Sequence, residues 1–127
     1  MDIRSFEKKN SGYNYVVFSD MLEHVENPEE VLNSSFKLLS SNGKVIISLP
    51  NVGYFLNRLG LLFGNWNYTE EGILDNTHVR FFTLATAKKI IQSSGYHICN
   101  IEAEVPVIDA FWKRTVFTLF SRSCIFS

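Results

Sequence analysis

Tyr15, Val16, Val17 and Phe18 form a run of aromatic and β-branched residues with no polar member. Such a run suits a central strand of a parallel sheet, buried on both faces. Asn27-Pro28-Glu29-Glu30 follows: a capping residue, a proline at the first helical position and a glutamate at the third, which together make a capping-box helix start. Val31, Leu32, Phe36, Leu38 and Leu39 then recur at helical spacing, and Ser40-Ser41-Asn42-Gly43 ends the helix with a residue that tolerates positive φ. Lys44 to Leu49 reads as a second strand, stopped by Pro50. Strand, helix and strand over about 35 residues make a βαβ unit with a parallel sheet and a right-handed crossover. Its ligands belong at the carboxyl ends of the strands, at Ser19-Asp20 and Pro50-Asn51.

From Val52 to Phe63 the apolar residues Phe55, Leu56, Leu59, Leu62 and Phe63 define another amphipathic helix, weakened by Gly60 and closed by Gly64. Asn65 to Asn76, with Trp66, Tyr68 and Gly72, has no period and reads as a long loop or lid. Val79 to Phe82 reads as a short extended stretch, and Thr83 caps a helix running to about Ser93 and ended by Gly95. Tyr96 to Val105 reads as a strand with Cys99, Ile101, Ala103 and Val105 on one face, broken by Pro106. The tail from Ala110 to Ser127 mixes Phe111, Trp112, Val116, Phe117 and Leu119 with Lys113, Arg114 and Arg122, and is expected to be a helix packed on the body. The fold class is therefore α/β.

Composition narrows this picture. With 127 residues, 46% of them hydrophobic, the chain reads as a single domain over 1–127 that can bury roughly two-thirds of its unfolded surface. Twelve Lys and Arg against thirteen Asp and Glu leave a net charge of -1 and no basic block, so no nucleic-acid partner is expected. The start lacks the apolar core of a signal peptide, and no apolar run approaches the ~18 residues of a membrane span. A cytoplasmic protein without a transmembrane segment is the expectation. Cys99 and Cys124 have neither disulfide-framework nor zinc-ligand spacing.

Three strings carry a resemblance: Ser19 to Leu32 (SDMLEHVENPEEVL), Asn42 to Tyr54 (NGKVIISLPNVGY) and Gly72 to Tyr96 (GILDNTHVRFFTLATAKKIIQSSGY). In order and spacing they resemble the C-terminal half of a class I S-adenosylmethionine-dependent methyltransferase, from its fourth strand onward. The resemblance implies a partial Rossmann-like, doubly wound sheet, mostly parallel with an antiparallel strand near the C-terminus, and helices on both faces. In that family a glycine-rich turn supports the cofactor's methionine moiety; no G-x-G element stands near the start of this chain, which reads as a truncated or split domain. Asp2 then matches the acidic residue that meets the adenine, and Ser19, Asp20, Met21 and Leu22 match the loop bordering the methyl group. Weak or absent binding of S-adenosylmethionine is expected for the isolated chain.

Asp20, Glu23 and His24 put two carboxylates and an imidazole at one strand end. Three roles fit. Some relatives bind a divalent cation with a similar acidic-x-x-Glu-His pattern, although Asp20 stands where they have glutamate, and no metal is assigned. His24 can instead take a hydroxyl proton at neutral pH, or the group can organise the loop. Glu23, His24 and His78 are the catalytic candidates. Asn51, Trp66, Tyr68 and Arg80 resemble an acceptor-side wall; equally, Asn51 and Arg80 can serve local turns, and the aromatic residues can cover a core edge.

The expected reaction is methyl transfer to an O or N acceptor of small-molecule or glycan type. Alignment supplies most of its rate, so a missing catalytic triad does not count against it. The alternative is a non-catalytic interaction module that pairs, as a homodimer or with a partner chain, through the strand-four edge at Tyr15 to Phe18. A third reading is a metal-dependent hydrolase using Asp20, His24 and His78.

Overall fold

The computed structural model describes residues 12–104 and 114–120. Four strands form one sheet in the order β1-β2-β4-β3, with β1 at Tyr13–Ser19, β2 at Leu39–Pro50, β3 at His97–Glu104 and β4 at Arg114–Phe120. β1 and β2 pair in parallel, as the βαβ pattern requires, while β4 runs antiparallel to both β2 and β3. The helices are α1 (Pro28–Ser35), α2 (Phe55–Leu62) and α3 (Leu84–Ser93), and a single 3-10 turn spans Leu22–His24.

α1 starts where its cap predicts, with Asn27 Oδ1 accepting from the Glu30 amide at 3.3 Å, but it ends four residues before the apolar pattern does. Phe36 leaves the helix to stack on Tyr96, ring centroids 4.0 Å apart, and i→i−3 bonds tighten the chain through Leu39. Ser40 to Gly43 is then an irregularity inside β2, lying between the register pairs Tyr13↔Leu39 and Tyr15↔Lys44. Gly43 is not at positive φ. A Cβ there would lie 2.8 Å from the Tyr13 carbonyl oxygen, so close approach of two strands, not a helix cap, requires the glycine.

Val16 and Phe18 of β1 face the core with Val45 and Ile47 of β2, and α1 and α3 cover them with Leu32, Ala87 and Ile91. The expectation that β1 is buried on both faces fails. It is an outer strand among the described residues, and Tyr15 and Val17 are 60% and 59% exposed. α2 likewise buries none of its residues, so the apolar stripe read from sequence covers no core here.

α3 matches its predicted span, and Thr83 and Thr86 bond reciprocally across its first turn. In β3 a register shift between Ile98 and Asn100 changes the phase, leaving Ile98 and Ile101 half-buried and Cys99 and Ala103 exposed, against the single face expected. The helix expected over the tail is replaced, at Arg114–Phe120, by β4. Thr115, Val116 and Thr118 favour extended backbone, and the ladders of β2 and β3 on either side outweigh a helical apolar period. The remainder of that tail, and Asp2, lie outside the described residues. No helix among them is long and apolar enough to cross a membrane.

Candidate active site

Two strand ends and one loop build the site. β1 stops at Asp20, the one non-glycine described residue at positive φ (45°), a conformation aspartate tolerates better than most residues. Its carboxylate accepts from Ser48 Oγ at 2.8 Å and its amide donates to the Ser48 carbonyl at 3.3 Å, which fixes the turn out of β1 against β2. Leu22 then dives into the core, and Glu23 follows it to full burial.

The segment Asp75–Arg80 is tied onto that turn. The Glu23 carbonyl accepts from the amides of both Val79 (2.9 Å) and Arg80 (3.0 Å). Arg80 Nε and Nη2 donate to the Glu26 carbonyl, and His24 Nδ1 lies 3.2 Å from the Thr77 carbonyl and 3.3 Å from Thr77 Oγ1. Residues more than fifty positions apart are thereby held together largely by main-chain groups.

Inside this frame the two imidazoles meet edge to face with centroids 4.8 Å apart, and His78 Nε2 lies 4.0 Å from Glu23 Oε1. The His78 side chain is 5% exposed, while His24 is exposed. Burial pulls the His78 imidazole below its ordinary range, against the bond from its Nδ1 to the Ile73 carbonyl, so at neutral pH this contact is not an ion pair. Phe81 sits beside His78 at 6.0 Å between centroids, with Trp66 edge-on at 5.6 Å and Tyr68 tilted at 6.3 Å.

Glu23, His24 and His78 each offer one ligand atom, all within 4.8 Å of one another. Each imidazole turns Nδ1 to a main-chain carbonyl, the usual orientation of metal-ligating histidines, and two imidazoles with a carboxylate fit a divalent transition ion. Asp20, the other acid of the motif, is engaged by Ser48. A family model described as a methyltransferase domain matches residues 1–100.

The chain belongs to the methyltransferase domain family. Its fold is that of class I S-adenosylmethionine-dependent methyltransferases, as solved structures show. A magnesium protoporphyrin IX methyltransferase from Synechocystis PCC 6803, with bound SAH, superposes with a TM-score of 0.63 at 16% identity, over 95% of this chain and 49% of that one. A SAM-dependent methyltransferase from Archaeoglobus fulgidus gives 0.64 at 15% identity, over 95% and 66%. A 1,6-didemethyltoxoflavin-N1-methyltransferase from Burkholderia thailandensis gives 0.61 at 13%, over 88% and 45%. At these identities the likeness concerns the fold. This chain thus spans about half the length of two of these structures and two-thirds of the third. No curated protein matches it.

Within this methyltransferase domain, the candidate catalytic residues Glu23, His24 and His78 come together. Ser19 and Met21 are exposed at the end of β1 beside Asp20, whereas the side chain of Leu22 belongs to the core. Asn51 Oδ1 accepts from the Gly53 amide at 3.0 Å, so it serves the turn after β2. The guanidinium of Arg80 is likewise taken up by Glu26. Sequence reasoning missed Asp75, Thr77 and Phe81 as site-building residues, although the first two stand in the motif that drew attention to His78.

Proposed function

We propose that this methyltransferase domain takes part in methyl transfer from S-adenosylmethionine to an oxygen or nitrogen acceptor of small-molecule or glycan type. The observation that carries the reading is the placement of His24 and His78 beside Glu23 at the carboxyl end of β1, within a methyltransferase fold. When bound, the cofactor supplies an activated methyl group on its sulfonium. The chain's own part is to orient the acceptor and receive its proton. Exposed His24 takes, at Nε2, the proton that the acceptor heteroatom gives up when it is methylated. Trp66, Tyr68 and Phe81 offer an aromatic wall for the acceptor's body. In place of His24 as base, a divalent ion held by Glu23, His24 and His78 would supply Lewis acidity to a hydroxyl acceptor.

The test is transfer of labelled methyl from S-adenosylmethionine to a panel of hydroxyl and amine acceptors by the protein as its gene encodes it. His24→Ala is expected to lower turnover by about 100-fold or more; unchanged turnover rejects His24 as base. Calorimetry of the 127 residues alone is expected to give weak or no cofactor binding, and submicromolar affinity would move the cofactor site onto these residues.

A second reading is favoured by β1 being an outer strand with Tyr15 and Val17 exposed: an interaction module that pairs through this edge. Light scattering decides it, since a monodisperse monomer contradicts edge pairing.

A further inference from the structure

We infer that Asp75 and Thr77 are positioning residues that hold His24 in a single tautomer, with the proton on Nδ1 and the lone pair on Nε2. The inference rests on the reading of His24 as the proton acceptor.

The protons at this contact can be counted one by one. The Asp75 carboxylate receives two bonds at Oδ1, from the Thr77 amide and from the Thr77 hydroxyl, each at 2.7 Å. An ionised carboxylate accepts only, so the hydroxyl's single proton is committed to Asp75. These two bonds, the hydroxyl's first, hold the Asp75 carboxyl below the usual carboxylate range, which keeps it ionised at neutral pH. Thr77 Oγ1 therefore presents only lone pairs to His24 Nδ1, 3.3 Å away, and the Thr77 carbonyl, at 3.2 Å, is also an acceptor. With acceptors on both contacts, Nδ1 must carry the hydrogen. The lone pair is left on Nε2, the nitrogen the proposed transfer needs. Asp75 thus acts on His24 through Thr77, as a third group that orients a base.

Long-range proton–nitrogen NMR of the imidazoles of the full chain at about pH 8 reads the tautomer directly. His24 is expected to show a protonated Nδ1 and an unprotonated Nε2. A protonated Nε2, or an even mixture, overturns the inference whatever the activity. Asp75→Ala frees the hydroxyl proton to point at Nδ1, and Thr77→Val removes one of the two acceptors and leaves the carbonyl; each is expected to weaken the bias and raise the share of the Nε2-protonated form, and Thr77→Ser to restore the parent distribution. A tautomer unchanged in both variants, with the circular dichroism of the parent, assigns the bias elsewhere and overturns the roles of Asp75 and Thr77. If the tautomer is as inferred but His24→Ala leaves methyl transfer intact, the base reading fails and the positioning assignment stands.

Discussion

The Tyr96 hydroxyl bonds to Ser35 Oγ at 2.5 Å and donates to the Leu32 carbonyl at 3.1 Å, joining the last residue of α1 to the residue that precedes β3. Both partners are buried, and the tyrosine ring stacks on Phe36. Burial pushes the phenol up to about 12, against the bond with Ser35, which favours the ionised form. The neutral phenol is thus the form the fold prefers. Its contribution is complete below pH 10 and is lost as pH rises from there through about 12. Urea midpoints are expected to fall steeply over that interval. Tyr96→Phe is expected to cost about 1 kcal/mol at neutral pH and to flatten the alkaline loss; an equally steep loss in the variant would place the titrating group elsewhere.

His78 gives the opposite slope. Its folded-state pKa lies below 6.5, chiefly because its imidazole is buried, so the neutral ring is favoured in the fold. Stability is complete above pH 6.5 and declines as pH falls through the lowered value. Unfolding midpoints compared at about pH 7.5 and 5.5 are expected to drop on the acid side, and His78→Gln to shrink that drop. A drop of the same size in both proteins would mean that other groups carry it.

Two glycines should respond to alanine in opposite senses. At Gly43 a new Cβ meets the Tyr13 carbonyl at 2.8 Å and Leu39 Cδ2 at 2.9 Å, so β1 and β2 must part locally; the cost is expected to be about 1–3 kcal/mol. At Gly60, within α2, the nearest atom is the Asn65 carbonyl at 3.6 Å, and alanine is expected to gain up to about 1 kcal/mol of helix propensity. Thermal melts of the two variants decide both signs.

Metal dependence separates two uses of the same side chains. With His24 as base, methyl transfer is expected to survive dialysis against a chelator, because proton uptake at Nε2 needs no ion. Loss of activity on chelation, with recovery on adding manganese or zinc, would assign Glu23, His24 and His78 as ligands. His78→Gln should then abolish the recovery.

How far the sequence reaches depends on whether the deciding interaction is local. α3 was fully legible because its cap at Thr83 and the positive-φ Gly95 that follows it act within a few residues. The end of α1 was not, since Phe36 quits the helix for Tyr96, sixty residues away. β4 was missed for the same reason: strand pairing with β2 and β3 is non-local and outweighs a helical period. At the site, Glu23, His24 and His78 could be chosen by residue type. Ile73 acts on His78 through a carbonyl group that any residue possesses, so no side-chain pattern announces it.

The two hydrogen bonds that the amides of Val79 and Arg80 donate to the Glu23 carbonyl constrain substitution in an uneven way. Because the tether is main chain to main chain, position 79 can exchange its exposed side chain for almost any other while the histidines keep their spacing. Proline is the exception at either position, since it has no amide hydrogen to donate. A library of variants at 79 and 80 would therefore tolerate changes of charge and size at position 79 far better than proline at either position.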